Sequence, residues 1–144
     1  MATRNNWAAT ILRVAVGTVF LAHGAQKLFV FHFGGVAQFF TQAGIPLPAL
    51  SAVVVTLAEF LGGLALVLGF GTRIGALLLA FDMLGAIALV HFKGGFFAPR
   101  GLEYPFVLLA ANIGLMLTGA GALALDNLFG RKKDEVQTKV IRAA

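Results

Sequence analysis

ALSAVVVTLAEFLGGLALVLG, residues 49–69, is the stretch whose reading decides the fold. A helix needs about 20 mostly apolar residues to cross a hydrocarbon core about 30 Å thick. This run is long enough, and Glu59 is its only charge. Working outward, segments at about 7–31, 73–92 and 103–123 meet the same requirement. The composition agrees: 59% of the 144 residues are hydrophobic and 12% charged, with a mean hydropathy of +0.90. No ordinary water-soluble domain reaches such values. The sequence predicts an all-α, integral membrane bundle of four transmembrane helices. The 18 glycines suit close helix packing in lipid.

Breakers separate the spans: Gly34-Gly35, Ile45-Pro46-Leu47-Pro48, Gly69-Phe70-Gly71 and Lys93-Gly94-Gly95. Ala22-His23-Gly24 loosely offers a signal-peptide cleavage site, but Arg13 interrupts the apolar region, so the first segment reads as a retained helix. Residues 1–127 form one four-helix membrane domain and 128–144 a basic tail. Four spans put both termini on one side. That side carries Arg4, Arg73, Arg131, Lys132, Lys133, Lys139 and Arg142, against Lys93 and Arg100 opposite. The positive-inside rule then predicts cytoplasmic termini, with loops 32–48 and 93–102 facing outward. The net charge of +5 reads as topology and affinity for anionic lipid rather than nucleic-acid binding. Trp7 and Tyr104 fit interface anchors.

Arg13, His23, Lys27, Glu59, Asp82 and Asn112 lie within the predicted spans. Arg, Lys and Asp cost about 2.5–3.5 kcal/mol each at a helix centre on insertion scales. They must face inward and find partners. Counting about 1.5 Å per residue puts Glu59, Asp82 and Asn112 near one central layer, Arg13 about 9 Å to its cytoplasmic side and Lys27 about 12 Å to its outer side. Arg13 is therefore the expected partner of a carboxylate, in a buried network with Glu59, Asp82 and Asn112, and Lys27 the doubtful one. That network either fixes helix register or forms a ligand or proton site with Glu59 and Asp82 as candidate catalytic groups.

Helical spacing aligns Arg13, Gly17, Phe20, Gly24 and Lys27 on one face, and Thr56, Glu59, Gly63 and Leu66 on another. Val107, Ala110, Gly114, Thr118 and Gly121 make a small-residue stripe on the last helix. His23, Lys27, His91, Lys93, Arg100 and Glu103 gather toward the outer leaflet, where Glu103 could neutralise Lys27 or Arg100. Of these, His23, Lys27, His91 and Glu103 are the candidate cofactor-binding residues.

Zero cysteines exclude disulfides, thiol redox centres and thiolate-held metal clusters. No metal set is read, so redox chemistry would need a bound cofactor. His23 and His91 invite a haem reading, but their depths differ by about 12 Å, which disfavours it. His32 reads as a solvated loop residue. Phe29, Phe31, Phe33, Phe39, Phe40, Phe92, Phe96 and Phe97 either wall an apolar pocket or settle at the headgroups. Gly119-Ala120-Gly121 lacks the strand context of a phosphate loop and reads as a helix stop.

Several pieces together resemble the DoxX family of small bacterial membrane proteins with four helices. They are Arg13 with Gly17, the run His23-Gly24-Ala25-Gln26-Lys27-Leu28, Glu59 with Gly62-Gly63, Gly69 with Thr72-Arg73, Gly95-Phe96-Phe97 with Glu103-Tyr104-Pro105, and Gly119-Ala120-Gly121 leading to Leu125-Asp126. The resemblance spans about residues 10–127. Ala124 departs from it, standing where the family often has serine. The resemblance implies a multi-pass protein of the bacterial inner membrane. Members are described as oxidoreductases or membrane subunits of oxidoreductase complexes, in one lineage linked to thiosulfate oxidation with quinone as acceptor. On that reading His23 or Lys27 donates to a quinone carbonyl, Glu59 or Asp82 handles protons, and a partner protein supplies electrons. Related animal proteins are similar to assembly chaperones or cargo receptors, which would make the intramembrane charges recognition elements for a client helix. A small-solute permease is the third reading. A protein partner or a homo-oligomer is expected in each case.

Overall fold

The computed structural model of the chain describes residues 6–128, all helix and connecting loop. The tail cations Arg131, Lys132, Lys133, Lys139 and Arg142, and Arg4 at the other end, lie outside the described residues. Helix α1 (Trp7–Gln26) continues through a π-helical turn (Lys27–Phe31) into α2 (His32–Gln42). Helices α3 (Pro48–Leu68) and α4 (Thr72–Ala86) follow, and α4 runs into a second π-helical turn (Ile87–His91) and a short 3₁₀ turn. Helix α5 (Glu103–Thr118) completes the bundle. Three stretches, Trp7–Gln42, Pro48–Leu68 and Thr72–Gly94, are long and apolar enough to cross a membrane, while Glu103–Thr118 is shorter.

Local chemistry sets the helix ends. The Asn6 side chain accepts from the Ala9 N–H and caps α1. Pro48 occupies the first turn of α3, where its missing N–H costs nothing. The Asp126 carboxylate accepts from the Gly71 and Thr72 N–H groups at 2.7 and 3.0 Å, so a residue beyond α5 caps the start of α4. Gly119, with φ of 81°, stops α5 at Thr118, earlier than the expected 123. The chain then folds back beneath the bundle. Residues 32–42 are helical rather than loop. Gly34-Gly35 does not break the chain there; the interruption falls at His32, whose φ of 55° leaves helical geometry. His32 is exposed, but it begins α2 rather than lying in a loop.

Packing centres on α1 against α3, with α4 bridging α3 and α5. A Cβ on Gly24 would collide with the Phe60 backbone, and one on Gly63 with that of Leu21, so these glycines let the two backbones nearly touch. Val16, Phe20, Leu66, Leu79, Met83 and Leu115 form the core. A smaller cluster of Val36, Phe40 and Ala52 holds α2 against the start of α3. Outward faces are apolar: Leu57, Leu61, Leu64 and Leu68 of α3 are all exposed. Such a surface belongs in lipid, and the protein is a helical membrane protein. Val107, Ala110 and Thr118 of the expected α5 stripe also face outward. The inward face of α5 is instead Pro105, Leu108, Asn112 and Leu115.

Candidate functional site

The intramembrane charges separate into two centres. Arg13, 1% exposed, is far from the carboxylates assigned to it and is held by main-chain carbonyls. Its Nη1 donates to Leu66 O and Val67 O, its Nη2 to Leu123 O and its Nε to Ala120 O. These acceptors are the C-terminal end of α3, where a cation is favoured by the helix dipole, and the loop after α5; Leu66 O also accepts from the Gly69 N–H. Thr10 adds a bond to Ala122 O at 2.9 Å. The Arg13 centre is therefore a structural clasp that joins α1, α3 and the chain beyond α5.

The second centre lies midway along α3 and α4, toward the end of α1 opposite Arg13. Lys27, the doubtful partner on depth counting, forms an ion pair with Glu59 at 2.5 Å, the only ion pair among the described residues. Glu59 is 5% exposed. The Asp82 carboxyl interacts directly with that of Glu59 and feels the Lys27 charge. Asp82 Oδ2 is buried without a hydrogen-bond partner. Two carboxylates thus share one ammonium, and a proton or a ligand donor must supply the remaining complement.

These groups open onto a cavity of about 480 Å³ between α1, α3, α4 and α5, covered by α2. This size is typical of small-molecule sites. Its walls are apolar, with Phe20, Phe40, Val55, Phe81, Met83 and Leu108 among them. Polar groups converge within it: His23, Lys27, Glu59, Asp82, His91 and Tyr104. The His23 and Tyr104 rings stand 6.2 Å apart. His23 Nδ1 lies 2.9 Å from Val19 O and His91 Nδ1 3.2 Å from Arg100 O, so each ring has one anchored nitrogen and one free for other contacts.

Two expected members are elsewhere. Asn112 donates to Leu108 O within its own helix and does not line the cavity. Glu103 accepts from the Ala98 N–H and pins the loop before α5 rather than neutralising Lys27 or Arg100. Tyr104, expected as an interface anchor, lines the cavity from the first turn of α5. The cover supplied by Phe39 and Phe40 depends on α2, which sequence reading took for a loop. Among the described residues no His, Asp and Glu cluster could hold a metal ion.

Comparison with known proteins agrees with this architecture. A family model described as DoxX matches residues 8–92. A Bacillus subtilis (strain 168) protein named "Putative oxidoreductase CatD" is 38% identical over 116 residues, covering 81% of this chain and 82% of its own. The "Inner membrane protein YphA" of Escherichia coli (strain K12) is 31% identical over 122 residues, covering 81% and 86% respectively. No solved structure matches the chain. The matched model runs through the helices that carry Arg13, Lys27, Glu59 and Asp82, and the chain belongs to the DoxX family.

Proposed function

We propose that this protein is the membrane subunit of an oxidoreductase system and binds a quinone headgroup in the cavity beside Lys27, Glu59 and Asp82. The observation that carries this reading is the Lys27–Glu59–Asp82 cluster on the wall of an apolar cavity, two carboxyl groups against one ammonium, with Asp82 Oδ2 buried and unpartnered and His23, His91 and Tyr104 as further polar groups of the lining. The residues fit the group: a planar ring suits walls of Phe20, Phe40 and Phe81, and two ring carbonyls need donors at the positions that Lys27, His23 and Tyr104 offer. When bound, a quinone would supply a two-electron, two-proton acceptor. Lys27 orients one carbonyl while keeping its bond to Glu59, since an ammonium has three donors. Tyr104 or His23 holds the opposite edge. Asp82 carries a proton on Oδ2 toward the cavity, with Glu59 as its neighbour in the relay. The apolar walls exclude bulk water. On this reading a partner protein supplies the electrons. In this reading all four apolar segments cross the bacterial inner membrane and the termini are cytoplasmic. The name of the Bacillus subtilis relative supports the oxidoreductase class.

Purification in mild detergent, extraction, and assay for quinone, flavin and haem by absorbance and mass spectrometry tests the proposal. Stoichiometric quinone is expected. Asp82→Asn should lower its retention about tenfold, the worth of a charged hydrogen bond, with the fold intact. A protein that neither retains nor takes up quinone, and copurifies with another membrane protein, would favour an assembly role instead.

A further inference from the structure

Gly85 stands out among the glycines of α1, α3 and α4. Gly17, Gly24, Gly62 and Gly63 each abut a neighbouring helix, and a side chain there would collide with it or press closely against it. A Cβ on Gly85 would meet nothing within 4 Å, although Gly85 lies inside α4 and lines the cavity. Glycine in a helix interior costs about 0.5–1 kcal/mol relative to alanine. Helix packing within this chain does not explain it. Its neighbours on the same face are Phe81 and Leu89, one turn to either side. Both line the cavity, yet they are 64% and 51% exposed. The cavity therefore reaches the outer surface of α4 as an apolar slot, with Gly85 as its floor and two large side chains as its rims. Asp82, next to Phe81, ties the slot to the polar cluster.

We propose that this slot holds the apolar tail of a membrane-dissolved ligand whose polar head meets Lys27, Glu59 and Asp82, and that Gly85 is the residue that admits the tail. The inference rests on the quinone reading and deepens it: the ligand class becomes a quinone carrying an isoprenoid chain, entering sideways from the bilayer. The slot opens on a helix face lined with exposed Leu77, Leu78 and Leu84, where lipid is the surrounding phase. A chain leaving the slot would continue among acyl chains without crossing water. A water-soluble quinone would gain nothing from it.

The test uses the full chain in detergent micelles. Retention through gel filtration is measured for a benzoquinone bearing a multi-unit isoprenoid tail and for the same ring without a tail. Gly85→Leu puts a side chain into the slot at a position where a Cβ meets no neighbour within 4 Å. It should weaken retention of the tailed quinone by about tenfold, a typical overpacking penalty expressed as affinity. The tail-less ring should stay within about threefold of wild type and the melting temperature should not fall. Ala88→Leu, on an exposed position of the same helical stretch, is the control and should change neither ligand. Unchanged binding of the tailed quinone by Gly85→Leu overturns the tail site, as does equal loss of both ligands. A shift in oligomeric state with Gly85→Leu would also overturn it, because the slot would then be a contact between copies. Failure of wild-type protein to bind either quinone removes the quinone reading itself, and this inference with it.

Discussion

Arg13 and Lys27 show how two cations at membrane depth meet different needs. Arg13 satisfies four carbonyls with a planar fork, which suits guanidinium and not ammonium. Arg13→Met should therefore cost about 3 kcal/mol in reversible unfolding from detergent, because Val67 O, Ala120 O and Leu123 O lose this donor. Arg13→Lys should recover only part. Lys27 answers a carboxylate, so a double-mutant cycle of Lys27→Met with Glu59→Gln should return a coupling of about 1–3 kcal/mol, whereas Arg13→Met with Glu59→Gln should be additive within about 0.5 kcal/mol. A coupled Arg13–Glu59 cycle would place the two residues in one network and overturn the separation. Depth was readable from the sequence, because rise per residue is fixed and every charged residue in a span stands out. Partners were not. Depth is one coordinate, and the long Lys27 side chain spans the axial distance to Glu59 that residue counting treated as a barrier. Main-chain carbonyls, which hold Arg13, leave no trace in a sequence.

At the scale of helices, glycine has two opposite uses. Gly24 sits where α1 and α3 almost touch, so Gly24→Val should sharply lower folded yield, a steric conflict with the Phe60 backbone that no rotamer relieves. Gly34 lies on exposed α2 with open space around its Cβ. Gly34→Ala should be neutral or stabilising by about 0.5–1 kcal/mol, measured by the same unfolding assay. A loss there would mean that α2 needs the flexibility it does not display. The spans themselves were legible, since long apolar runs leave few alternatives. Helix α2 was not: its Gly34-Gly35 pair reads as a break, and only the packing of Val36 and Phe40 on Ala52 shows why the segment is helical. The early stop of α5 at Gly119 was similarly hidden, because the apolar residues beyond it continue the hydropathy without continuing the helix.

The whole molecule is closed at one end by main-chain and capping bonds, and this fixes how its ends lie. Thr10 reaches Ala122, Arg13 reaches both Val67 and Leu123, and Asp126 reaches Gly71 and Thr72. The start of α1, the turn between α3 and α4, and the chain after α5 therefore share one end of the bundle, so the described residues begin and finish on the same side. Arg73 is exposed at that end. Helix α5, with 16 residues, is about 24 Å long, shorter than a hydrocarbon core of about 30 Å. It can still cross if the bilayer thins locally or the exposed Leu123 and Leu125 extend the apolar band. The chain has no native cysteine, so an introduced thiol reports its own position. Ala98→Cys, in the loop before α5, should react with a membrane-impermeant maleimide in intact cells. Leu128→Cys, beyond α5, should react only after permeabilisation. Labelling of both from outside would mean that α5 lies in the interface and does not cross. The inverse pattern would turn the bundle over and put the Lys27 end of the cavity toward the cytoplasm.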